Sequence, residues 1–235
     1  MNQVRWMMEQ VERVRHDRRR LMAFAAIAPV VGLAACATPI GGYTLDEGVR
    51  RLMILSSQRA FQRLIQPGGF YDDQLTRIDI PEFEGDRSGA VLAAVLRTNA
   101  VRRQIAIALN DVAVDAADRA APIVLDSVRR MTIADAVSVL RGGPTAATDL
   151  LERQTGGALV QAMFPEFSGG LRSDAFEIMS AALGAQTGFD YRWLADSAAR
   201  SASSAIFRAI GREEAGIRAN PRATRDPVLI ALLGG

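Results

Sequence analysis

Apolar residues recur along almost the whole chain at a spacing near 3.6, and strand-like alternation is confined to Ile78-Asp79-Ile80-Pro81. A chain with that period buries stripes, so it folds as helix packed on helix. The pattern opens at Thr44-Leu45-Asp46-Glu47, a capping-box signature whose hydroxyl and carboxylate satisfy the first free amides of a helix. Val49, Leu52, Met53, Phe61, Leu64 and Ile65 come next at helical spacing, and Gln66-Pro67-Gly68-Gly69 ends the run. The stretch from Phe70 to Pro81 is expected as a structured loop, because so short a strand with proline behind it is at most an edge fragment. Periodicity resumes near Ser88 and runs through Val101, Ile105, Leu109, Val112 and Ala116, after which Pro122 fits either the first turn of another helix or a kink.

Further on, Thr132-Ile133-Ala134-Asp135 offers a cap to a short helix reaching Leu140, which Arg141-Gly142-Gly143-Pro144 terminates. Thr145 can cap the next helix, and separate helical pieces are expected over 146–153, 158–164 and 173–183 with glycine pairs between them. A longer helix starts at Asp190, carries Leu194, Ala198, Ala205, Ile206, Ala209 and Ile210 on one face, and stops before Asn220-Pro221. A last turn covers Pro227 to Leu233. The expected fold is all-α: a compact multi-helix bundle with short Gly/Pro connections and one irregular loop near 66–86.

Ahead of this domain, Arg18-Arg19-Arg20 precedes the alanine-rich apolar stretch Leu21 to Val31, and Leu33-Ala34-Ala35-Cys36 closes it. That is the pattern of a bacterial lipoprotein signal, in which small residues admit the peptidase and the cysteine thiol accepts diacylglycerol before cleavage. An uncleaved anchor is the rival reading, since Leu21 to Ile40 is nearly free of charge and roughly 20 apolar residues span a bilayer. Asp17-Arg18-Arg19-Arg20-Leu21-Met22 also resembles a twin-arginine export signal. The expected organisation is a signal peptide over 1–35, a lipidated spacer over 36–43 and one helical domain over 44–235. Ala37 in second mature position resembles the sorting signal of outer-membrane lipoproteins, so the expected location is the outer membrane, facing the periplasm.

Composition narrows the chemistry. The chain has no lysine, one histidine (His16) and one cysteine (Cys36), both in or at the end of the export segment. A Ser-His-Asp or Cys-His site, a Schiff base, a phosphate-loop lysine, and structural zinc, haem or iron–sulfur ligation therefore lack their donors. Cofactors are expected to be none, and no metal site is expected. Of 28 arginines six precede Cys36, and of 26 acids three do, which leaves 22 against 23 in the mature chain, a net of −1. Nucleic acid is thereby excluded as a partner, because phosphate binding needs a concentrated positive field.

Carboxylate chemistry and binding without catalysis survive. The carboxylate pool is Glu166, Glu177, Glu213 and Asp190, but no spacing pairs two of them. The loop acids Asp72, Asp73, Glu82, Glu84 and Asp86 lack the alternating oxygen pattern of an EF-hand and read as solvated charge. Glu214 and Arg218, four apart with the acid first, read either as a helix-surface ion pair or as an arginine held for an anionic ligand. Asp135 reads as a cap and Thr148 as a hydroxyl bonded to its own turn. Glu213 and Asn220 complete the candidate polar set, with no residue assigned a catalytic role. Tyr191 and Trp193 read as core or as the lining of an apolar pocket.

Three stretches carry a family resemblance. They are Gln66-Pro67-Gly68-Gly69-Phe70 with Ile78-Asp79-Ile80-Pro81; Ala116 to Pro122 with Val128 to Ala136 and Gly142 to Thr148; and Arg212-Glu213-Glu214-Ala215-Gly216-Ile217-Arg218-Ala219-Asn220-Pro221. In order and spacing the chain resembles a bacterial family of exported proteins, domain of unknown function 4197. The family pattern has an asparagine near Val114, where this chain is apolar. The resemblance implies fold and export but no activity. Together these features lead us to expect a lipid-anchored envelope lipoprotein with a binding or structural role. Its expected partners are the membrane, through the lipid, and another envelope protein or a small apolar or anionic ligand; the alternative is a carboxylate-dependent hydrolase of envelope glycans.

Overall fold

A computed structural model describes residues 44–80, 99–134, 136–170 and 191–234, all within the unit Ala37–Gly235. The readings placed on Cys36, Ser88, Asp135, Glu82, Glu84, Asp86, Glu177, Asp190 and residues 173–183 lie outside the described residues, as does the side chain of Tyr191. Among the described residues there are six α-helices and no strand: α1 Leu45–Leu64, α2 Asn99–Arg130, α3 Ala136–Arg141, α4 Ala146–Gly170, α5 Tyr191–Ala219 and α6 Pro227–Leu233. A single 3-10 turn, Pro221–Thr224, links α5 to α6. The fold is all-α.

The Thr44 hydroxyl accepts the Glu47 amide at 3.2 Å, while the Glu47 carboxylate goes to Arg51 at 2.6 Å. Val49, Leu52, Met53, Ala60, Phe61 and Leu64 form the buried stripe of α1. Helix α6 packs so close to α1 that a Cβ on Gly48 would lie 2.0 Å from Leu232 Cδ1. The loop after α1 is ordered by its own bonds. Gly68 takes a φ of 77°, which favours glycine, and buried Ile78 is held by Asn110 of α2. The Asn110 amide oxygen accepts the Ile78 N–H at 2.9 Å, and its NH2 donates to the Ile78 carbonyl at 3.0 Å. Val114, one turn further along α2, is packed against the core; a buried asparagine is thus present four residues earlier.

Of the two readings of Pro122, the start of another helix does not hold, because Pro122 lies inside α2. The glycine pair Gly156-Gly157 and Pro165 lie inside α4, which runs unbroken for 25 residues in place of the expected shorter pieces. Two mid-helix glycines cost roughly 1 kcal/mol each relative to alanine. Burial of Leu151, Leu159, Met163 and Phe167 in the core outweighs that cost, at roughly 1.5–3 kcal/mol for each large side chain removed from water. Opposite α4, helix α5 presents a stripe of small residues, Ala195, Ala198, Ala199, Ala202, Ala205 and Ala209, with Leu194, Ile206 and Ile210, all buried. Small side chains let the two backbones approach. Trp193 lies outside this stripe and is 43% exposed, so it is not a core residue.

Candidate functional site

Helix α5 carries acids and arginines along its length, and its C-terminal half meets the end of α1, the loop after it and the α3–α4 connection. Arg212 pairs with Asp73 in the loop after α1, and Glu213, itself buried, pairs with Arg63 at the end of α1. Arg208 Nε donates to the Leu75 carbonyl at 2.8 Å.

Glu214 is the centre of the arrangement. Its side chain is 1% exposed and its carboxylate faces the first turn of α4. Oε1 accepts the Ala147 N–H at 3.0 Å, and Oε2 accepts both the Thr148 N–H and the Thr148 hydroxyl at 2.7 Å. The first four amides of a helix have no internal partner. Here a carboxylate from another helix takes the place of an N-cap side chain, where negative charge also meets the positive end of the α4 dipole. Thr145, expected to cap α4, instead directs its hydroxyl to Asp149 at 3.4 Å. Thr148, expected to bond within its own turn, is spent on Glu214.

Arg218 completes the clamp. Its Nε donates to Glu214 Oε1 at 2.8 Å, and Nη2 lies 2.7 Å from the same oxygen as an ion pair. Nη1 donates to the Leu140 carbonyl and Nη2 to the Val139 carbonyl, each at 2.9 Å. Those carbonyls belong to the last turn of α3, where a cation meets the negative end of a helix dipole. One i,i+4 pair on α5 therefore joins the C-terminus of α3 to the N-terminus of α4 across the turn at Gly142-Gly143. Gly211 makes room for it: a Cβ there would lie 3.1 Å from Thr145 Cγ2. Of the two sequence readings of Arg218, the ion pair with Glu214 forms, but buried rather than on the helix surface, since the arginine side chain is only 12% exposed.

The other candidates are not brought to this point. Asn220 is exposed and makes no side-chain capping bond at the 3-10 turn. Glu166 pairs with Arg119 across α4 and α2. Among the described residues no group of three or more His, Cys, Asp or Glu is placed to hold a metal, and no helix is long and apolar enough to cross a membrane. At Asp73, burial pushes the carboxyl up, but the Arg212 hydrogen bond, the Leu75 amide and the charges of Arg212 and Arg63 outweigh it and hold it below the usual value.

Sequence reasoning missed the open groove between α4 and α5. Glu152, Gly156, Phe164, Asp196, Arg200 and Ser203 line one end, and Leu75, Thr145, Phe207, Arg208 and Arg212 line the other. The Gly156-Gly157 pair was the available signal, since it removes two side chains from the groove wall. Asp196 is held by Arg200 at 2.8 Å.

No curated protein and no solved structure matches this chain. Residues 40–234 match the family described as a protein of unknown function, DUF4197, and the chain belongs to that family.

Proposed function

We propose that this protein is a lipid-anchored envelope lipoprotein, held by acylated Cys36 on the outer membrane and facing the periplasm, with a non-enzymatic binding or structural role exerted through the α4/α5 groove. The observation that carries the non-enzymatic reading is the saturation of the conspicuous polar residues. The Glu214 carboxylate accepts five donor contacts and Arg218 directs its guanidinium to it and to two carbonyls. Groups so buried and engaged hold helices together. For the anchor, the support is the run Leu33-Ala34-Ala35-Cys36 behind Arg18-Arg19-Arg20, with the family match starting four residues after Cys36.

The alternative, a carboxylate-dependent hydrolase of envelope glycans, has one observation in its favour: Glu152 and Asp196 line the same end of the groove. Three experiments test these readings. Metabolic palmitate labelling is expected to mark the wild type and not Cys36→Ser; equal labelling would remove the lipoprotein reading. Crosslinking in intact cells from a photoreactive residue at Gly157 is expected to capture an envelope partner. Release of glycan fragments by wild type and not by Glu152→Gln would instead establish the hydrolase.

A further inference from the structure

We propose that the end of the domain at which the chain enters α1 is a docking face for anionic phospholipid headgroups, with Arg129, Arg222 and Arg225 as its contacts. The proposal rests on the lipid-anchor reading.

Three chain segments meet around the first turns of α1. Arg50 donates to the carbonyls of Val128, Arg129 and Met131, which brings in the end of α2. Arg51 reaches Asp226, which brings in the 3-10 turn and the start of α6. Six arginines described there (50, 51, 129, 130, 222 and 225) stand against four acids, Asp46, Glu47, Asp126 and Asp226. That is a net of +2 in a mature chain whose net is −1, so the remainder carries −3.

Most of the acids are already engaged. Arg51 holds Glu47 and Asp226, and Arg130 holds Asp126. Arg129, Arg222 and Arg225 are exposed and make no ion pair among the described residues. Arg225 has a second peculiarity: it is the non-glycine residue with positive φ among the described residues, at 57°. Its backbone closes the 3-10 turn, the Arg225 N–H donating to the Arg222 carbonyl at 3.2 Å, a place that glycine or asparagine would fill at lower cost.

The occupant is set by the placement of the face. Seven residues lie between Cys36 and Thr44, and the eight steps from one to the other reach at most about 29 Å, so the end where the chain enters α1 is tethered beside the bilayer. The three arginines come from two segments, the end of α2 and the 3-10 turn with its cap, which suits a field of headgroups more than one free phosphate. Each arginine near an anionic surface strengthens binding roughly fivefold.

The test uses the mature chain carrying Cys36→Ser, which retains the whole unit Ala37–Gly235, and vesicles of phosphatidylcholine with or without an equal part of phosphatidylglycerol. Co-sedimentation at low salt is expected with phosphatidylglycerol and not with phosphatidylcholine alone. The triple variant Arg129→Gln, Arg222→Gln, Arg225→Asn should lower that partitioning at least tenfold while keeping its helical circular dichroism. Arg102→Gln, Arg103→Gln, Arg153→Gln removes the same charge from other exposed positions and should stay within twofold of the parent. Equal loss in both triples, retention by inorganic phosphate competition alone, or no binding to phosphatidylglycerol would overturn the docking face. Palmitate labelling at Cys36 is read separately, so vesicle binding without labelling removes the anchor and keeps the face, whereas labelling without vesicle binding does the reverse.

Discussion

Two pairs on one helix share a sequence spacing and nothing else. Asp196 and Arg200, near the start of α5, stand four apart with the acid first, and so do Glu214 and Arg218 near its end. The first pair is 44% and 67% exposed for acid and arginine and bonds to no other helix among the described residues; the second is 1% and 12% exposed and joins α3 to α4. Between them lies Asp73–Arg212, about one-third exposed on each side. The lesson concerns surroundings: an i,i+4 ion pair becomes structural when unsatisfied helix ends are within its reach. Spacing along α5 decides that the partners can meet, and the neighbouring helices decide what the meeting is for.

The largest test of this contrast is Glu214→Ala. It leaves the Ala147 and Thr148 amides without acceptors and strands Arg218, so urea unfolding should show a loss of about 3–5 kcal/mol. A loss under 1 kcal/mol would place Glu214 in the same class as Asp196. Arg218→Lys comes next. It retains the charge but replaces a planar fork with a single ammonium that cannot serve Glu214 and both α3 carbonyls in the same geometry. The expected loss is about 1–3 kcal/mol, and an unchanged midpoint would show that charge alone holds the clamp.

Gly157→Ala addresses the open end of α4. Nothing lies within 4 Å of a Cβ placed there, so the substitution should stabilise by about 1 kcal/mol through helix propensity. Destabilisation instead would mean that the glycine pair is a true break. Asp73 offers a pH test. Because its folded pKa is held low, its contribution is complete above the unfolded value of about 3.9 and disappears as pH falls through the lower folded value. Asp73→Asn should therefore remove part of the acid dependence of stability below about pH 4 and leave the profile between pH 5 and 8 parallel to wild type. Smallest of all is Arg200→Ala, expected to leave the urea midpoint unchanged within error; a clear shift would erase the distinction between the two pairs.

Much of the architecture was legible from periodicity. The buried stripes of α1 and α5, the glycine stop after α1, the termination before Asn220-Pro221 and the final Pro227 turn all obey local rules that act within a few residues. The failures have a common cause. Pro122 and the pair Gly156-Gly157 are breakers by local propensity, yet both lie inside helices whose burial outweighs the local penalty. Thr148 reads as a local hydroxyl until a carboxylate 66 residues away is folded against it. Trp193 reads as core or as pocket lining, but its position relative to the alanine stripe of α5 takes it out of the core and leaves it 43% exposed.

The sequence by itself determined that this chain is helical, that lysine, histidine and thiol chemistry are absent from the domain after Cys36, and that the residues now assigned to a family recur in a set order. Those properties need only composition and short-range spacing. Tertiary structure alone decided that Glu214 and Arg218 are a clamp, that Asn110 holds Ile78, and that an open groove runs between α4 and α5. Each depends on which unsatisfied backbone groups from distant segments arrive at one place, and a linear spacing carries no record of that.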